Sequence, residues 1–163
     1  MKRSSTKAVK RNQLAFYVKC DDAYHIAGYR CETFDVDTGI TRESEADVTM
    51  QAKGESVTGY THKVSGTVKY NSGDPVLELF DDIWYNEKVG GEEVAEVLIV
   101  EMYKDNRAKS MLMSLGVDKL GGSAGEFVEY DISGEQVGDT VLGTAEVDID
   151  NGTATFTKST STP

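Results

Sequence analysis

Residues 64–84 read VSGTVKYNSGDPVLELFDDIW, and two different periods meet inside them. As far as Tyr70 the run alternates. Val64, Gly66, Val68 and Tyr70 share one face, while Ser65, Thr67 and Lys69 share the other, which is the pattern of a strand. NSGD then breaks the alternation. From Pro75 onward, Val76, Leu77, Phe80, Ile83 and Trp84 recur at helical spacing, with Glu78, Asp81 and Asp82 opposite. Asp74 stands where a side chain can cap the first turn, and Pro75 stands at N1, where its missing N–H is not needed. The spacing predicts one helix over about 74–87, packed on a sheet through Val76, Leu77, Phe80, Ile83 and Trp84.

Outside this segment the chain reads as β. QLAFYVK and YHIAGYR are strands around the turn CDDA, and the polar run DVDTGITRESEAD reads as a loop or irregular edge. DVTMQA and residues 57–70 return to alternation, with Gly54 and Gly59 as breaks or bulges. EVAEVLIVEMY and RAKSMLMSL are joined by KDN as a hairpin. After a glycine-rich loop come EFVEYDIS, DTVLGTAEVDI and TATFTK, the last two around the hairpin signal DNG. No βαβ alternation is present. The fold class expected is mainly β: an antiparallel β-sandwich or small barrel with one flanking amphipathic α-helix. A single β domain spans 13–158, between a basic N-terminal arm (1–12) and a flexible C-terminal tail (159–163).

Charge divides the chain the same way. Lys2, Arg3, Lys7, Lys10 and Arg11 give the arm +5, so the body carries −16 against a total of −11. A body that acidic repels nucleic acid and anionic membranes, and the arm is complementary to a second copy's body. No run approaches the ~18 apolar residues of a membrane span, and no membrane anchor is expected. In the strands the acids are regular: Glu129 and Asp131 share a face, as do Glu146 and Asp148. A solvated outer face and a water-filled lumen both explain such a wall.

The catalytic inventory is thin. GGSAG (121–125) fits the pattern of a nucleophile elbow at Ser123, but a strand pattern follows it and both histidines, His25 and His62, precede it. DIDNG lacks the later ligands of a calcium loop. Cys20 and Cys31 are not spaced as metal ligands. No enzyme, metal or cofactor is expected.

The order of a polar loop, a strand bearing Ser65-Gly66-Thr67-Val68, Gly73-Asp74 opening a helix, and later Gly138-Asp139-Thr140-Val141-Leu142-Gly143-Thr144 resembles the major tail protein (tail tube protein) of long-tailed bacteriophages. The resemblance covers about residues 45–157. It implies a virion protein whose subunits join strands into a large ring barrel, as hexameric rings stacked into a hollow tube. The helix would pack outside, and a long loop and the chain ends would touch the next ring. Its implied partners are further copies, a tape-measure protein, and tail terminator and distal tail proteins, with DNA passing through without specific binding. On that basis Glu96, Glu101, Glu129, Asp131, Glu146 and Asp148 are candidate lumen acids. Lys2, Arg3, Lys7, Lys10, Arg11, Arg42, Glu43 and Glu45 are candidate inter-ring contacts, within segments 1–12 and 35–60. The competing reading is a β-sandwich binding module for carbohydrate or a receptor, with Tyr24, Tyr29, Tyr60, Tyr85 and Tyr103 as stacking platforms.

Overall fold

The structure, a computed structural model, describes residues 7–27, 31–45, 49 and 54–160. Among the described residues, eleven strands and one α-helix follow in order: β1 (Leu14–Cys20), β2 (Ala23–Ala27), β3 (Cys31–Asp37), β4 (Ile40–Glu45), β5 (Gly54–Tyr60), β6 (Lys63–Lys69), α1 (Pro75–Tyr85), β7 (Val94–Glu101), β8 (Arg107–Gly121), β9 (Glu129–Gln136), β10 (Val141–Asp148) and β11 (Thr153–Lys158). All strand pairs are antiparallel, so the chain is mainly β with one flanking helix, as the patterning predicts.

Long β8 organises the molecule. One edge pairs with β7 along 107–114, while the other is divided between β10 along 107–110 and β9 along 113–121. The pairing β10–β8 closes a ring of six strands, β8-β10-β11-β2-β1-β7, and removes the edges an open sheet would carry. Beyond it, the C-terminal half of β8 continues into β9, β6 and β3. The sequence reading ends this strand near Leu115. It continues to Gly121 through a register shift between Val117 and Lys119, a bulge that lets a glycine-containing segment stay paired.

Two apolar clusters follow from this arrangement. Ala15, Tyr17, Leu98, Val100, Ala108, Ala145 and Ala154 fill the closed barrel, where small residues suit the narrow bore. The alternate residues of the same strands, Phe16, Val18, Val97, Ile99, Met111 and Met113, face outward into the larger core. There they meet α1 through Val76, Leu77, Phe80 and Ile83, all buried. Asp74 accepts hydrogen bonds from the backbone N–H of Val76 (3.0 Å) and Leu77 (3.4 Å). The expected packing stripe departs from the structure at one residue: Trp84 is 45% exposed and lies beside Tyr85, ring centroids 6.4 Å apart. Ile83 already fills the inward position of the last turn, which leaves its neighbour at the rim.

Of the two readings of DVDTGITRESEAD, loop or irregular edge, the structure takes the edge. Within it lie the end of β3 and all of β4, which pairs with β5 in a separate two-stranded ribbon. The pattern was misleading because the side chains described on β4 and most of those on β5 are exposed, so nothing imposes apolar alternation. β3–β4 and β5–β6 form one long hairpin that bends at Gly39, where Thr61 N–H donates to the Gly39 carbonyl (2.9 Å). Gly39 has φ +60°, and a Cβ there would lie 1.6 Å from the Thr61 oxygen. The expected strand DVTMQA falls almost entirely outside the described residues.

Candidate assembly surface

The four strands β8-β9-β6-β3 form a sheet with one face on the helix-bearing core and the other wet. On the core side lie Val64, Val68, Tyr130 and Ile132. The wet side carries Asp35 and Asp37 (β3), Lys63 and Lys69 (β6), Glu129, Asp131 and Glu135 (β9), and Lys119 (β8). Acids outnumber lysines. Lys63 and Glu135 are register partners 3.5 Å apart, and Thr67 Oγ1 donates to Asp131 (2.6 Å).

Both borders of this sheet are open among the described residues. β3 has β6 on one side and no strand on the other; residues 116–121 of β8 have β9 on one side and no strand on the other. Four antiparallel strands make the two border strands run in opposite directions. Head-to-tail joining of copies therefore keeps every pair antiparallel. Unpaired borders of this kind are templates for further strands.

The sequence-predicted residues scatter over this architecture. Glu129 and Asp131 sit together on the wet face. Glu146 and Asp148 share the outward face of β10, on the closed barrel, and Asp148 accepts from Asn151 Nδ2 (2.7 Å) in the β10–β11 turn. Glu101 pairs with Arg107 at the β7–β8 connection. Glu96 stands on the barrel-facing side of β7, where it takes hydrogen bonds from the Tyr24 hydroxyl, Ser110 Oγ (3.1 Å) and Lys19 Nζ (3.1 Å). The Tyr24 hydrogen bond, before the others, holds the Glu96 carboxyl below its usual range. Burial first, and then Glu96, pushes the Tyr24 hydroxyl up to about 12. Asp35, Asp37 and Glu135 complete the wet face and were missed; strand alternation around Phe34 and Val36 was the available signal.

Of the basic arm, Lys7 and Lys10 are exposed, and Lys2 and Arg3 lie outside the described residues. Arg11 is engaged within the chain, donating to the carbonyls of Leu14 and Phe34 (both 2.5 Å). Arg42 and Glu43 are exposed on β4, which also contains Glu45. Tyr24 is buried inside the barrel, Tyr60, Tyr85 and Tyr103 are exposed on three separate elements, and Tyr29 lies outside the described residues. Ser123 is exposed in the loop after β8, and no group of metal-ligating side chains occurs among the described residues. Cys20 is a free, buried thiol whose Sγ lies 3.6 Å from the Pro75 carbonyl.

No protein-family model matches the chain, and no curated protein sequence matches it. Solved structures do. The SPP1 tail tube superposes with a TM-score of 0.62 at 14% identity, over 86% of this chain and 81% of that one. The tail of an empty gene transfer agent (GTA) particle, refined with C6 symmetry, gives 0.61 at 13% identity, over 82% and 97%. The sheath–tube complex of the extracellular contractile injection system PVC gives 0.52 at 11% identity, over 84% and 92%. The chain has the fold seen in these tube assemblies.

Proposed function

We propose that this protein is a structural subunit of a phage tail tube, joining copies into rings that stack as a hollow conduit. The observation that carries the reading is the four-stranded sheet with two open borders of opposite direction, on a fold shared with tube proteins. Joining border to border extends the sheet around a ring and satisfies the backbone groups an edge leaves unpaired. The helix and closed barrel cover one face of that sheet, so the wet face lines the lumen. Glu129 and Asp131 remain lumen acids in this arrangement, joined by Asp35, Asp37 and Glu135. A net acidic wall repels the phosphate backbone and lets a duplex pass without adhering.

Hexameric rings agree with the resemblance in sequence. The bent β4–β5 ribbon with Arg42, Glu43 and Glu45, and the arm with Lys2, Arg3, Lys7 and Lys10, are the segments assigned to the next ring. A tape-measure protein inside, and terminator and distal tail proteins at the ends, are the partners such a tube requires.

Electron microscopy and sedimentation of the purified protein across a concentration series test this. Rings or tubes with a continuous wall are expected. A monomer at every concentration overturns the proposal.

A further inference from the structure

The hydrogen-bond phase of the four-stranded sheet fixes which backbone groups face its open borders. Gln136 N–H donates to the His62 carbonyl (2.9 Å) and Tyr70 N–H to that of Val128 (2.8 Å), so even-numbered β6 residues bond toward β9. Odd-numbered β6 residues then bond toward β3, through Thr33, Asp35 and Asp37. The N–H and C=O of Phe34 and Val36 are left facing outward. By the same alternation, Glu129, Asp131 and Ser133 bond toward Gly121, Lys119 and Gly116 of β8. Leu120 and the bulge at Val117–Asp118 therefore face the opposite border.

Side chains at the two borders match in one register. Phe34 and Val36 on β3, and Val117 and Leu120 on β8, are only half-buried, each packed on the rim of the larger core. On the wet side, Asp35 and Lys119 are exposed, and neither side chain has an ion pair or hydrogen bond among the described residues. Inside the subunit, β8 already meets a triplet of this kind: Leu120, Lys119 and Val117 lie opposite Tyr130, Asp131 and Ile132 of β9. β3 carries the same order of types, aromatic, aspartate, β-branched, in Phe34-Asp35-Val36.

The geometry points to a seam in which β3 of one copy pairs with β8 of the next in the register Phe34–Leu120, Asp35–Lys119, Val36–Val117, with the Asp35–Lys119 ion pair selecting that register. This rests on the ring reading above. In this register the backbone groups of Phe34 and Leu120 face one another, and Asp35–Lys119 becomes a non-hydrogen-bonded pair, whose side chains approach closest. The apolar pairs close over the core rim, and a one-residue slip sends Lys119 to the wrong face. The Leu120 N–H takes the Phe34 carbonyl that Arg11 holds in the isolated subunit.

Charge exchange tests the seam. Asp35→Lys and Lys119→Asp are each expected to raise the protein concentration needed for ring formation roughly tenfold, through like charges set opposite one another. The double exchange restores it. Both sites are exposed, so thermal melts of the monomers should be unchanged. Carbodiimide cross-linking of mixed isotope-labelled copies should join Asp35 to Lys119 between copies. If the native chain forms rings while the single exchanges assemble equally well, or the double is no better than either single, the seam is wrong and the ring reading stands. If the native chain forms no rings and no cross-link between copies, both fall.

Discussion

Glu96 shows how far alternation along one strand can mislead about a single residue. Its parity with Leu98 and Val100 is plain in VAEVLIVE, yet nothing in that run says that Tyr24 and Ser110, 72 and 14 residues away, close around it. The consequence is a pH dependence with a definite sign. The Glu96 carboxyl is depressed, so its contribution is present at neutral pH and is lost as pH falls from the ordinary carboxylate range of about 4 through its lowered value. Tyr24 acts in the opposite limb: its contribution is present below the usual value of about 10 and is lost as pH rises toward about 12. Unfolding free energies of the native chain and Glu96→Gln, from denaturant titrations, should differ by about 1 kcal/mol near neutrality. The gap should close under acid. A gap independent of pH would mean that the carboxylate charge is not what the cluster uses.

At the scale of elements, α1 is the part most legible in the sequence, because cap, N1 proline and apolar stripe all agree. Its rim was not legible. Helical spacing places Trp84 one turn beyond Phe80, but only packing decides that Ile83 closes the contact and Trp84 stays at the edge. Phe80→Ala should therefore cost about 3–5 kcal/mol, from lost burial plus a cavity, whereas Trp84→Ala should cost less than about 1 kcal/mol. Urea unfolding of the two variants checks the ordering; equal losses would mean that the tryptophan carries the helix. The β4–β5 ribbon is the opposite case. An element wet on both faces carries no hydrophobic period, so a polar strand there cannot be told from a loop. It took pairing with β5 and the bend at Gly39 to define it.

At the scale of the whole molecule, the wet face of β8-β9-β6-β3 gives the proposed tube its inner charge. Exchanging Glu129 and Glu135 for lysine should leave assembly intact while making tubes retain duplex DNA in a low-salt filter-binding assay, an effect that fades as salt screens the contact. Tubes that bind no more DNA than the native ones would move the lumen to another face. Composition, alternation and the Asp74-Pro75 boundary were enough to determine a mainly β, acidic chain with one bracing helix, because those signals are local and repeat along the chain. The sequence order also carried the likeness to tail tube proteins. Which acids stand together, where the barrel closes and which strands keep open borders were decided only in three dimensions. Closure depends on β8 dividing one edge between β9 and β10, a pairing across the chain that no local period encodes.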